Sequence, residues 1–541
     1  MSENSSSSQA LLSRTSKETM SEQKATTRAA GVVGMWTALS RVLGFVRDMV
    51  TAFFLGAGPG AEAFFIAFRI PNLLRRLFAE GALSAAFVPT YVDTLHHEGG
   101  AGAERLARIV FTFAAIVLAL VTFIGIILSP WIVNVTAPGF VEDASKFELT
   151  VKLTRIMFPY IFFISLVALA SGVLNSMGHF SAPAAAPVLL NITMIAGVVI
   201  FTTFFGAEPY YALSWGVVIA GVFQLMLQVP FMIRAGVKLR PDFSFRHPLL
   251  RKIGVLFVPA ALSGAVYQIN VLIGSMLASM IPGGVSWLWY ADRVVELPLG
   301  VFAIALGTAS LPSMSRQASN GDLSGLTHSV AFGLRLIAFF IIPASVALVV
   351  LDEPIISILF QRGAFSYADS VQTAYALRWY TIGLWAFSGL KVVTQAFFSL
   401  KDTRTPLWVS VGAVAVNLVA GLLLMRSMSQ GGLALATSLA AAFNLLVLFA
   451  ILLKRLGTFP SAHFAGSIGR VCAASTVMGI ALAYGRTFGQ WPQGLNKLNG
   501  LVLAACIFGG LAIFALSALL LRCPEISSFL ALAGIKRKEK G

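Results

Sequence analysis

Residues 105–134 read RLARIVFTFAAIVLALVTFIGIILSPWIVN, and from Ile109 onward no side chain in the stretch is charged. A helix needs about 20 such residues to cross a hydrocarbon core of roughly 30 Å. Backbone polar groups in lipid must bond to one another, which a helix achieves within a single segment and an open strand does not. Comparable stretches recur on both sides. Spans are predicted near 29–56, 62–92, 105–134, 148–176, 184–206, 211–234, 250–281 and 286–315, then near 327–351, 371–400, 405–426, 431–454, 464–486 and 498–521. The reading is an all-α polytopic membrane protein with about fourteen transmembrane helices.

Composition agrees. Of 541 residues 57% are hydrophobic and 11% charged, too little charge to coat a soluble body of this size, so the excess faces lipid. The gaps between spans are short and leave no room for a folded soluble domain. The longest, 352–370, carries an apolar patch from Ile355 to Phe360 that is expected to lie along the membrane interface. The net charge of +16 does not indicate nucleic acid, because the basic residues sit in short segments between spans, at both ends, and in a smaller set inside the spans. Cys472, Cys506 and Cys523 are far apart and form no metal-binding spacing, so no metal site or cofactor is expected.

Lys and Arg placement orients the chain. Residues 1–28 are Ser-rich, mixed in charge and predicted to be a disordered cytoplasmic tail. They do not read as a signal peptide, since the following apolar stretch carries Arg41, Arg47 and Asp48. Alternate loops carry Arg105 and Arg108; Lys238, Arg240, Arg246, Arg251 and Lys252; Lys401 and Arg404; Lys454 and Arg455. The opposite loops carry Glu142, Asp143, Glu148, Glu208, Asp352 and Glu353. Both termini are therefore expected in the cytoplasm. Ser40 and Ser263, Pro89 and Pro312, and Pro183 and Pro406 share one spacing of 223 residues, pointing to a duplication of six spans. The predicted organisation is an N-terminal lobe at 29–240, a C-terminal lobe at 241–456, two further spans at 457–525 and a basic cytoplasmic tail at 526–541.

Charge inside a span costs at least a few kcal/mol at the bilayer centre, so its positions locate function. Span one has Arg41, Arg47 and Asp48; span two has Arg69, Arg75, Arg76 and Glu80; span eight has Asp292, Arg293 and Glu296; span ten has Lys391. On a continuous helix Arg69, Asn72, Arg76 and Glu80 form one stripe. These groups are expected to line an internal cavity, with some paired as ions. Arginine's planar fork suits phosphate, so the Arg surplus points to an anionic or pyrophosphate-bearing substrate. Asp48, Glu80, Asp292 and Glu296 read equally as partners in salt bridges locking two lobes together. Pro71 and Pro298 lie beside the charged clusters, where a bend would shape a cavity. No nucleotide-binding loop or HExxH motif is present, and no constellation for covalent chemistry, so a transporter rather than an enzyme is expected. Transport would then draw on the membrane potential, an ion gradient or the substrate's own gradient.

The stretches Ser40 to Asp48 (SRVLGFVRD), Ala63 to Phe68 (AFFIAF), Pro71 to Pro89 (PNLLRRLFAEGALSAAFVP), Thr136 to Phe140 (TAPGF), Ser286 to Pro298 (SWLWYADRVVELP) and Leu306 to Pro312 (LGTASLP) resemble the MurJ (MviN-type) lipid II flippases. The resemblance implies the multidrug/oligosaccharidyl-lipid/polysaccharide exporter superfamily. It implies two six-helix lobes in a V shape and two C-terminal helices forming a groove for a lipid tail. The implied substrate is undecaprenyl-pyrophosphate disaccharide pentapeptide, moved across the bacterial inner membrane by alternating access, with cell-wall synthesis enzymes as candidate partners. It assigns Arg41, Arg47, Arg75 and Arg293 to the cationic cavity, with Asp48, Glu62 and Glu296 at associated acidic positions and Ser286 within the span-eight motif. Similar proteins bind sodium through carboxylates of spans seven and eleven. Here spans seven, eleven and twelve hold no Asp or Glu, leaving Asn417 and Thr437 as neutral candidates. The rival readings are another polyprenyl-linked glycan flippase or a multidrug exporter of the same superfamily, and a membrane glycosyltransferase or assembly scaffold.

Overall fold

Helix is the only regular structure among the described residues of the computed structural model, which are 31–76, 83–238, 240–300, 304–457 and 459–526, with backbone alone at 260, 262–264 and 304–310. The predicted tail at 1–28, Glu80 and residues 527–541 of the basic tail lie outside the described residues. Among the described residues eight helices are long and apolar enough to cross a membrane: Ser84–Ile127, Ala144–Ser176, Ser181–Phe205, Pro209–Arg234, Leu323–Val350, Arg404–Leu456, Ser461–Phe488 and Lys497–Leu520. The chain is thus an all-α, multi-span membrane protein.

Two of these helices are too long for one crossing. At 1.5 Å per residue the 53-residue Arg404–Leu456 would measure about 80 Å if straight, against a core of about 30 Å. Ser429 breaks it with a left-handed φ of 48°, in the gap between two predicted spans. The two halves then return on each other, and a Cβ on Gly421 would touch Leu433 at 3.5 Å. Gly99, at φ 72°, likewise interrupts Ser84–Ile127 between the second and third predicted spans. Proline marks other breaks, because it removes a backbone donor. The fourth predicted span turns at Phe158 and Pro159. Pro71 is followed by a π turn at 75–76, and Pro298 by another at 299–300. Such turns are frequent at functional sites.

The chain forms two compact units that cut across sequence order. The first holds residues 31–50, 68–129 and 152–264; the second holds 51–67, 130–151 and the remainder from 265. In the first unit the helix Tyr160–Ser176 packs against Ser84–Ile127 and Pro209–Arg234, and Ser181–Phe205 pairs with Pro209–Arg234. Gly197 and Gly216 face each other there, so two backbones approach without side chains between them.

In the second unit Gly284–Pro298 packs on Tyr367–Ile382, and Leu323–Val350 packs on Leu384–Ser399 and Ser461–Gly485. The last two spans join this body through a core of Phe339, Met478, Leu482, Trp491 and Phe514. The apolar patch expected along the membrane interface forms the short helix Asp352–Phe360, but Ile356 and Phe360 are fully buried. Ser357 fixes this helix by donating to the Trp491 carbonyl at 2.7 Å. One face of the helix thus packs on protein, while Ile355, Ile358 and Leu359 remain partly exposed.

Candidate functional site

In the first unit the helical residues 31–50 carry Arg41, Arg47 and Asp48. Arg41 is exposed and Asp48 is buried. Arg47 donates Nε and one terminal nitrogen to the same Asp48 oxygen, at 3.1 and 2.7 Å. Its other terminal nitrogen donates to Asn191 Oδ1 at 3.1 Å. Asn191 lies on Ser181–Phe205 and donates its amide to the Ser40 carbonyl at 3.0 Å. A half-buried arginine is thus held from two helices by a carboxylate and an amide.

Still in the first unit, Arg75 donates to Asn72 Oδ1 at 3.2 Å. Arg76 is exposed, and the π turn holding both arginines changes the helical register there. The predicted stripe through Arg69, Asn72, Arg76 and Glu80 assumes an unbroken 3.6-residue period, and its last member lies outside the described residues.

The second unit contains a cluster on one helix. Arg293 pairs with Asp292 at 2.9 Å and with Glu296 at 2.9 Å, one turn on. Its guanidinium also sits 5.0 Å from the centre of the Trp289 ring. Asp292 and Glu296 are about half exposed, with side-chain exposures of 46% and 48%. Ser286, on the same helix, is fully buried. Lys391 is exposed on Leu384–Ser399, with no ion pair among the described residues.

Glu62 belongs to a separate node of this unit. It is buried, pairs with Lys146, and accepts the backbone N–H of Val285 at 3.2 Å. Lys146 in turn lies 3.9 Å from the centre of the Phe140 ring, in the TAPGF motif. Tyr290 donates to the Gly56 carbonyl at 2.9 Å, and Phe65 stacks on Trp289. Gly56 has φ 63°, and a Cβ there would fall 2.4 Å from the Ala364 carbonyl oxygen, so only glycine fits. Residues 51–67 and 130–151 are thereby bound to the span-eight helix.

A further cavity of about 640 Å³ in this unit is lined almost entirely by apolar side chains, among them Ile341, Trp385, Leu445, Phe449, Phe464 and Ile468. The penultimate span contributes Phe464 and Ile468; the last span contributes none of its lining.

The sequence reading missed Asn191 and Lys146. Asn191 is a single amide in the apolar run VLLNITMI, a usable signal given the cost of an unpaired amide in a span. Lys146 stands among Glu142, Asp143 and Glu148, where it reads as a loop charge.

Fold and site together define a multi-span helical transporter with arginine–carboxylate clusters within its helices. The profile of the family described as "Lipid II flippase MurJ" matches residues 51–501. A "Probable lipid II flippase MurJ" of Rhizobium tropici is 37% identical over 489 residues, covering 90% of this chain and 91% of that protein. Among solved structures, "Lipid II flippase MurJ, inward closed conformation" superposes with a TM-score of 0.76 at 26% identity, covering 91% of this chain and 98% of that one. A multidrug resistance MATE family transporter of the MOP superfamily, in an inward-facing conformation, shares the fold at a TM-score of 0.65 and 16% identity, over 77% of this chain and 94% of that one. The chain belongs to the lipid II flippase MurJ family.

Proposed function

We propose that the protein flips lipid II, the undecaprenyl-pyrophosphate disaccharide pentapeptide, from the cytoplasmic to the periplasmic leaflet of the bacterial inner membrane by alternating access. The observation that carries this reading is the family match over residues 51–501, joined to arginines held within the spans. Arg41, Arg47, Arg75 and Arg293 contact the diphosphate during transport. At Arg293 the half-exposed Asp292 and Glu296 yield to the headgroup, while Arg47 keeps Asp48 and offers its remaining donors; a charge-assisted bond to phosphate contributes about 1.5–3 kcal/mol. Both termini are cytoplasmic, as the basic loops require.

The membrane potential is a sufficient energy source. Outward movement of one negative charge from an interior-negative cell is down the potential and is favoured by about 2.3 kcal/mol per 100 mV. Cell-wall synthesis enzymes that consume the flipped precursor are the candidate partners.

The test is depletion in cells with lipid II measured in each leaflet. Accumulation in the cytoplasmic leaflet is expected, and Arg47→Ala and Arg293→Ala, at normal protein level, fail to relieve it. Normal cell-wall synthesis without accumulation would instead assign the protein to another polyprenyl-linked glycan.

A further inference from the structure

Arg47 is held by a side chain at residue 191 that must accept on one side and donate on the other. A guanidinium has five N–H donors and accepts nothing, and a carbonyl only accepts. Three of the Arg47 donors are used, two on Asp48 and one on Asn191. Two remain, one on each terminal nitrogen. Asn191 lies between this cation and the Ser40 carbonyl, accepting at 3.1 Å and donating at 3.0 Å. It is 4% exposed, so neither bond is replaced cheaply by water. An amide is acceptor at one end and donor at the other, as both partners require. Aspartate would turn an oxygen toward a carbonyl, and leucine would leave Arg47 short of an acceptor.

The geometry also anchors the arginine to a fixed frame. The Ser40 carbonyl belongs to the same helix as Arg47, about two turns earlier, so Asn191 spans that distance from a second helix. Asp48 neutralises Arg47 but sits next to it in the chain and cannot orient it against anything else. Pre-ordering a long side chain lowers the entropy lost when a ligand binds it.

We propose that Asn191 is a positioning residue for Arg47, fixing the guanidinium so that its two remaining donors meet the diphosphate headgroup of the substrate. This rests on the reading that Arg47 contacts that headgroup. A purely structural Asn191 would join two helices and nothing more, and the two roles separate in a coupling measurement.

The full-length protein in nanodiscs is titrated with undecaprenyl diphosphate as wild type, Asn191→Leu, Arg47→Ala and the double variant. Asn191→Leu is expected to weaken binding about tenfold, the size of one lost charge-assisted bond. On top of Arg47→Ala it should add nothing. Full additivity of the two losses, or wild-type affinity in folded Asn191→Leu, overturns the proposal. Wild-type affinity in Arg47→Ala would instead overturn the headgroup reading on which it rests. Should Asn191→Leu not fold, Asn191→Asp carries the same test: its added charge draws Arg47 inward and weakens binding at least as much. Unchanged affinity there overturns the proposal equally.

Discussion

Arg47 and Arg293 each have a carboxylate as chain neighbour, Asp48 after the one and Asp292 before the other. Their surroundings differ. The Arg47 pair is nearly closed to solvent, with side-chain exposures of 13% and 7%, and a second helix supplies Asn191. Arg293 has side-chain exposure of 22%, and its carboxylates, about half exposed, come with Trp289 from its own helix. Burial decides what each pair does. A buried pair is costly to break, because the partner left behind is an unsolvated charge. A half-exposed pair contributes about 0–1 kcal/mol and exchanges readily for another anion. The same residue types thus make a rigid binding element in the first unit and a responsive one in the second.

Three variants probe that contrast. Asp48→Ala should be the most damaging, removing about 3 kcal/mol of stability by leaving Arg47 buried with Asn191 alone. Thermal unfolding in detergent measures it, and a shift no larger than that of an exposed substitution would erase the distinction. Arg293→Lys keeps the charge and loses the planar fork, and should weaken undecaprenyl diphosphate binding about tenfold while leaving stability nearly unchanged. Equal affinity would show that Arg293 acts as a point charge, unlike Arg47. Glu296→Gln should have the smallest effect, under about 1 kcal/mol on stability. A larger loss would mean that the Arg293 pair is as tightly held as the Arg47 pair.

The Arg293 cluster was legible because it is local. Asp292, Trp289 and Glu296 all fall within one turn of Arg293 on a continuous helix, where such spacings bring side chains together. The long apolar runs were legible for a similar reason: each span satisfies its backbone internally and declares itself by length. The π turn at 75–76 was not, because it leaves no mark in the hydrophobic pattern. Nor were the protein partners of the patch from Ile355 to Phe360, Trp491 among them, which lie more than a hundred residues away in the chain.

Composition determined that this chain lives in lipid, and uncharged runs of about 20 residues made its spans helices, since a barrel strand needs only about ten alternating residues. The arginines inside the spans were equally plain, because charge in hydrocarbon is too costly to be incidental. Tertiary structure decided which partner each charge takes. It set Asn191 against Arg47 across 144 residues and Lys146 against Glu62 across 84. Burial is a property of the whole packed unit, and it is burial that separates an ion pair that holds from one that yields.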